Sequence, residues 1–140
     1  MYLIDTNVVS EARKQGRADP GVVEFFSRAC AEGHAVYLSV VTIGELRRGV
    51  ELIRRRGDTP QAALLDAWLT HVVGQYADRI LAFDTEAAQV WGRLRVPHPK
   101  HALDKQIAAI ALVNDLTLVT RNTADFSATG VRVENPFVPA

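Results

Sequence analysis

Tyr2-Leu3-Ile4-Asp5-Thr6-Asn7 is the stretch on which the reading of the chain turns. Tyr2, Leu3 and Ile4 are strand-formers with no polar partner among them, which is the pattern of a short strand buried on both faces. An acid, a hydroxyl and an amide follow at once. The strand therefore ends at Asp5, and Thr6 or Asn7 is expected to cap a helix over residues 8–13. In open α/β sheets ligands bind at the carboxyl ends of strands, which is where Asp5 falls. An ionised Asp in such a place is costly unless it meets a cation or good donors. Read alone, Asp5 serves equally well as an ordinary helix cap.

The remaining chain alternates in the same way. Asp19-Pro20-Gly21 starts a helix, with Val22, Val23, Phe25, Phe26 and Ala29 on its apolar face and its end near Gly33. Ala35-Val36-Tyr37-Leu38 reads as a second buried strand. Ser39 or Thr42 then opens a helix carrying Ile43, Leu46, Val50 and Ile53, which stops at Arg54-Arg55-Arg56-Gly57. Thr59-Pro60 begins the next helix, whose stripe of Leu65, Trp68, Leu69, Val72, Val73 and Tyr76 predicts a helical hairpin with its predecessor. Ile80-Leu81-Ala82-Phe83 is a third strand, and Asp84 caps a helix with Ala88, Val90, Trp91 and Leu94. Val96-Pro97-His98-Pro99 is a rigid loop, because two prolines forbid helix there. Asp104 is expected to start an alanine-rich helix. Residues 116–120 form a fourth strand, a polar turn follows over residues 121–126, and residues 131–133 form a fifth. Strands alternating with helices predict an α/β fold with a mainly parallel sheet and right-handed crossovers.

Three acids resist explanation as surface decoration. Asp5 ends the first strand, Glu45 lies among Val41, Ile43 and Leu46, and Asp104 shares a face with Ile107, Ala108 and Ala111. Each stands where a strand gives way to a helix or a helix begins, and in an α/β sheet such places share an edge. Asn122 and Asp125, after the fourth strand, can join them. Taken singly, Asp104 is an ordinary N-cap and Glu45 an exposed helix residue; together they suggest a site. Carboxylates gathered without a counter-ion repel, and a divalent cation removes the conflict. Oxygen ligands point to Mg²⁺ or Mn²⁺ rather than zinc, since no Cys/His cluster is evident. Such an ion lowers the pKa of bound water and neutralises charge on a phosphodiester. His98 and His101 read as solvated loop residues with no acid to orient them. Lys100, Lys105 and Arg121 are the better candidates for phosphate contacts, with Arg47 and Arg48 for RNA phosphates or a partner's acids. Arg54-Arg55-Arg56 reads as a solvated helix end, and Trp68 and Trp91 as core.

Composition narrows the class. A chain of 140 residues fits one domain, and 48% hydrophobic with 23% charged residues fits a globular protein. Sixteen Lys and Arg balance sixteen Asp and Glu, so any nucleic-acid surface has to be local. The single Cys30 excludes an internal disulfide and a cysteine-rich metal site. Only three apolar residues lie between Met1 and Asp5, which does not read as a signal peptide, and no apolar run approaches the roughly 20 residues of a membrane helix. The expectation is a cytoplasmic protein of one domain, residues 1–140.

With these residues in place the chain resembles a PIN-domain ribonuclease, specifically the VapC-type toxins of type II toxin–antitoxin systems. The matching motifs are Leu3-Ile4-Asp5-Thr6-Asn7, Thr42-Ile43-Gly44-Glu45-Leu46-Arg47-Arg48-Gly49, Asp104-Lys105-Gln106-Ile107-Ala108-Ala109 and Thr120-Arg121-Asn122-Thr123-Ala124-Asp125-Phe126, with Val133-Glu134-Asn135-Pro136-Phe137 after them. The resemblance implies a three-layer sandwich, with a five-stranded parallel sheet in the order 3-2-1-4-5 and helices on both faces. It implies a Mg²⁺- or Mn²⁺-dependent endoribonuclease acting on RNA, transfer RNA among the candidate substrates. The implied enzyme is a homodimer held inactive by a cognate VapB-type antitoxin. The family's acids carry over to Asp5, Glu45 and Asp104, with Thr6, Asn7 and the hydroxyl of Thr120 in support. The fourth polar position falls on Asn122, where many relatives carry Asp, or on Asp125 close behind. Two readings of other classes compete: a PIN-like scaffold that only binds, and a receiver-like regulatory domain. The second needs an acidic pair beside the first strand, where Asp5 stands alone. A dehalogenase-type phosphatase needs a second Asp where Asn7 stands.

Overall fold

The computed structural model describes residues 1–139. Five strands, β1 (Tyr2–Ile4), β2 (Val36–Ser39), β3 (Ile80–Leu81), β4 (Thr117–Val119) and β5 (Val133–Glu134), form one parallel sheet in the order β3-β2-β1-β4-β5. Every neighbour pair is parallel, and β1 lies in the centre with Leu3 opposite Tyr37 on one side and Leu118 on the other. The strand order reverses between β1 and β4, so the sheet has its switch point at the end of β1.

Side chains that alternate along each strand feed two separate cores. Ile4, Val36, Leu38 and Val119 face one layer, built from α1 (Thr6–Ala12), α2 (Pro20–Ala31), α3 (Val40–Arg55) and α4 (Thr59–Gln75). Leu3, Tyr37 and Leu118 face the other, built from α5 (Thr85–Leu94) and α6 (Ala102–Val113). The expected three-layer α/β arrangement is therefore present. Ile107, Ala108, Ala109, Ile110 and Ala111 all have 0% exposure, so α6 is enclosed on every side at that level. Three of these five are alanines, whose small side chains let α6 lie close within its core. α3 and α4 make the expected hairpin, turned at Gly57 with φ +90°.

Several element boundaries differ from expectation. The cap of α1 is Asp5 itself, whose side chain accepts from the Thr6 amide, rather than Thr6 or Asn7. α6 begins two residues before Asp104, behind His101, which takes a left-handed backbone conformation at φ 58° and ψ 49°. Asp104 is thus the third helical residue and not the cap. β3 is two residues long, and β5 starts at Val133 because Val131 turns inward to the α6 core instead of pairing. Trp68 and Trp91 are only half-buried; the Trp91 Nε1–H donates to the Ala102 carbonyl at 2.9 Å and ties α5 to the start of α6.

The segment after β5 packs back across the start of α2. A Cβ on Gly21 would stand 2.1 Å from the Pro136 carbonyl oxygen, so only glycine fits under this crossing. Asp19 Oδ1 accepts from the amides of Gly21 at 2.8 Å and Val138 at 3.1 Å, which joins the two segments. No helix among the described residues is long and apolar enough to cross a membrane.

Candidate metal centre

The parallel sheet delivers its polar residues to one edge. Asp5 leaves β1 there, 3% exposed, with both carboxylate oxygens engaged. Oδ1 accepts from the Thr6 amide at 2.8 Å, and Oδ2 accepts from the Thr120 hydroxyl at 2.7 Å and the Asn7 amide nitrogen at 3.3 Å. Burial raises the Asp5 pKa; the donors Thr120, Thr6 and Asn7 pull against that rise, and the charge of Asp125 adds to it. Thr120, with 0% exposure, donates to Asp5 while accepting from the Asn122 amide and from Asn7 Nδ2. Asn7 Oδ1 in turn accepts from the Arg121 amide at 3.1 Å. Asn7 is therefore a brace between the ends of β1 and β4, which explains why an amide and not a hydroxyl stands there: only an amide donates on one arm and accepts on the other.

Glu45, one turn into α3, receives a hydrogen bond of 2.7 Å from the Thr6 hydroxyl at Oε1. Because an ionised carboxylate only accepts, Thr6 has to donate to Glu45 and accept from Thr42, 3.1 Å away. Thr42 itself accepts from Ser39, the cap of α3, whose oxygen takes the Thr42 amide at 3.1 Å. Ser39 and Thr42 are fully buried, so this hydroxyl file is fixed by packing and aims Glu45 at the edge. Sequence reasoning placed Ser39 and Thr42 only as helix starts; the spacing of two hydroxyls before an acid on one helix was the available signal.

Asp104 occupies the first turn of α6, facing the same edge. Its pKa is raised from 3.8 to about 6, first by burial and then by the charges of Asp5, Asp125 and Glu45, with His101 opposing. Asp104 is thus close enough to feel three other carboxylates. Within this group, His101, Asp104 and Asp125 each bring one ligand atom to within 4.8 Å of the others. Asp5 and Glu45 lie outside that tighter set. Asp125, in the short helical turn Thr123–Phe126, reaches the cluster. Asn122 is exposed, and its backbone rather than its side chain engages Thr120 and Asp125.

His101 corrects one expectation: it does have an acid beside it, with Nδ1 3.7 Å from Asp104 Oδ2. The i,i+3 spacing of the two was readable; the left-handed backbone that makes it a contact was not.

The expected cations divide. Lys105 is 7% exposed and its ammonium donates to the His98 carbonyl, so it pins the 96–101 loop and is not free for phosphate. Arg47 pairs with Asp66 at 3.0 Å and Glu51 at 3.3 Å, within the α3–α4 hairpin. Arg54 joins the same acids, while Arg55 and Arg56 are exposed, as expected of a solvated helix end. Arg48, Lys100 and Arg121 are exposed and, among the described residues, form no ion pair; Arg121 lies 4.6 Å over the Phe137 ring. Sequence reasoning also missed a cleft of about 330 Å³ that starts at Thr6 and Glu45 and runs past Arg13 and Arg56 to Trp68. It adjoins a wider hollow of about 700 Å³ flanked by Arg13, Lys14 and Arg17.

The donor set fits a divalent ion. Ligand atoms bonded to one ion at about 2.1 Å stand no more than about 4.2 Å apart, and the three atoms here all lie within 4.8 Å of one another. The raised Asp104 pKa reports burial first and the charges of Asp5, Asp125 and Glu45 second, and a dication would favour the ionised form against both. Oxygens predominate, and Cys30 lies on α2, away from the cluster.

A doubly wound parallel sheet with carboxylates converging at its switch point defines a class of α/β protein built to gather charge at one edge. The PIN-domain family model matches residues 2–131, and the chain belongs to that family. It is 34% identical to the toxin FitB of Neisseria gonorrhoeae over 142 residues, spanning 98% of this chain and 99% of that protein. It is 30% identical over 145 residues to the VapC ribonuclease Y4jK of Sinorhizobium fredii, with all of both chains covered. The crystal structure of FitAcB from Neisseria gonorrhoeae superposes with a TM-score of 0.82 at 35% identity, covering 97% of this chain and 98% of that one.

Proposed function

We propose that this protein is a metal-dependent endoribonuclease and the toxin of a toxin–antitoxin pair. The observation that carries the reading is the convergence of Asp5, Glu45, Asp104 and Asp125 on one edge, where burial first and the neighbouring charges second raise the Asp104 pKa to about 6. Such a concentration of charge disfavours the folded state unless a cation is bound, and a site of this kind is kept for what it does. The likeness to a protein named VapC ribonuclease supports RNA as the substrate class.

Asp5, Glu45, Asp104 and Asp125 would supply the carboxylates that hold the ion, Mg²⁺ or Mn²⁺. When bound, the ion supplies an acidified water and neutralises charge on a phosphodiester. Asp5 is fixed by Thr6, Asn7 and Thr120 and serves as the rigid wall of the site. Glu45 has Oε1 committed to Thr6, which leaves Oε2 to orient the attacking water and take its proton. Thr120 holds its proton on Asp5, so Asp5 is no rival base. Arg13 and Arg56 line the cleft, Arg48, Lys100 and Arg121 are exposed, and these cations offer phosphate contacts for an RNA strand.

The kinship with toxin FitB supports a cognate antitoxin as partner, and the family resemblance extends the proposal to a homodimer in the cytoplasm, formed by the one domain. Purified protein, tested on a structured RNA pool with Mg²⁺ or Mn²⁺ against EDTA, decides the activity. Cleavage that needs metal and disappears in Asp5→Asn is the expected result. A folded, partner-free protein that cleaves nothing in either metal points instead to a binding scaffold.

A further inference from the structure

We propose that His101 is a nitrogen ligand of the metal centre and biases the site towards transition-metal ions over Mg²⁺. This rests on the metal-dependent reading above and adds to it a donor that an all-carboxylate edge lacks.

Three observations carry it. The His101 ring brings a nitrogen within 4.8 Å of a carboxylate oxygen of both Asp104 and Asp125, and its Nδ1 is 3.7 Å from Asp104 Oδ2. The imidazole makes no capping bond to α6 although it stands at the cap, which leaves its nitrogens facing the carboxylates. The loop that presents it is pinned from two helices. Lys105 on α6 donates to the His98 carbonyl, Trp91 on α5 donates to the Ala102 carbonyl at 2.9 Å, and Arg95 donates to the Pro99 carbonyl at 3.4 Å. A side chain in the left-handed region, on a loop held at residues 98, 99 and 102, points where the backbone sends it.

The chemistry follows from the donor. Carboxylate and water oxygens suit Mg²⁺ and Mn²⁺ alike, whereas imidazole adds affinity for first-row transition ions and little for Mg²⁺. Mg²⁺ also demands near-ideal octahedral geometry at short distances, which a ring on a pinned loop supplies poorly. With His101 in place the site therefore discriminates by ligand type rather than by charge alone.

The test uses the whole protein and Mn²⁺ as the probe, with pulsed electron paramagnetic resonance as the readout and no RNA present. Wild type is expected to show ¹⁴N coupling to bound Mn²⁺, absent in His101→Gly, a change that keeps the positive φ without strain. His98→Ala, the neighbouring control, keeps the coupling. Titration should show Mn²⁺ affinity falling at least about tenfold in His101→Gly, as for loss of a metal-site partner, while Mg²⁺, measured by competition, changes less than about twofold. His101→Asn, which also tolerates positive φ and offers an oxygen, should keep Mg²⁺ binding and lose the coupling. Mn²⁺ bound without ¹⁴N coupling, or coupling that survives in His101→Gly, overturns the assignment while the metal-dependent reading stands. Wild-type protein that binds no Mn²⁺ overturns both.

Discussion

Replacing Asp104 by Asn is expected to make the metal-free protein more stable at neutral pH, an inversion of the usual effect of removing a well-placed polar residue. The Asp104 pKa rises from 3.8 to about 6 on folding. Between those values the folded protein holds more protons than the unfolded chain. Stability is therefore lost as the pH climbs through that window, and the loss is complete above it. A rise of roughly two pH units corresponds to about 3 kcal/mol as an upper limit. The Asp104 side chain is 27% exposed, so solvent screening reduces this. An acid in the first turn of a helix also gains about 0.3–1 kcal/mol from the helix dipole, which Asn forfeits. The net gain for Asp104→Asn is about 1 kcal/mol at pH 7.5, a rise of about 3–5 °C in midpoint for a chain of this size. Urea denaturation in EDTA at pH 7.5 and again at pH 4 measures it, and the two proteins should converge at pH 4. Saturating Mn²⁺ should reverse the order, since ion at a hundred times its Kd stabilises wild type by about 2.7 kcal/mol and the variant by less. An Asn variant less stable than wild type in EDTA at pH 7.5, or an advantage that persists unchanged at pH 4, would refute the like-charge account of this edge.

Other substitutions probe the framework. Thr120→Val removes the buried donor to Asp5 and should cost about 1–3 kcal/mol in urea melts, with Thr120→Ser recovering most of it. Lys105→Met keeps the stem and loses the ammonium that holds the His98 carbonyl; a cost of about 1.5–3 kcal/mol is expected, and hydrogen exchange should quicken at residues 98–101. If exchange there stays as slow as in wild type, the lysine does not pin the loop. Gly21→Ala sets a methyl against the Pro136 carbonyl and should cost about 1–3 kcal/mol, with faster proteolysis after residue 134 as the local sign.

The layout of the sheet was legible because strand and helix signals alternate and each acid follows a strand or heads a helix. Asp5 and Asp104 could be located from that alone, and Glu45 from its place on an apolar helix. What the sequence hid depends on backbone turns and on where long side chains lie. Asp125 enters the cluster through a single helical turn that brings residue 125 back to the edge, and no composition rule distinguishes it from Asn122. His101 depends on a positive φ that a histidine adopts only in a particular context. Lys105 looked like a surface cation because lysines usually are, yet the tight packing of α6 leaves it 7% exposed with one carbonyl to satisfy. Val131 and Val133 alternate as a strand should and so predict a fifth strand two residues early, but of the two only Val133 pairs.

The brace between Asp5 and Thr120 joins residues 115 positions apart, and this sets a clock on the ribosome. At about 5–20 residues per second, roughly 6–23 s pass between synthesis of the first partner and of the second. Once β2 has been made β1 can pair with it, but until β4 follows its other edge is bare and the Asp5 carboxylate lacks the hydroxyl that fixes it. Asp125 follows later still. A nascent chain therefore carries the acids without the geometry, and whatever chemistry the edge performs begins only when almost the whole chain has been released to fold.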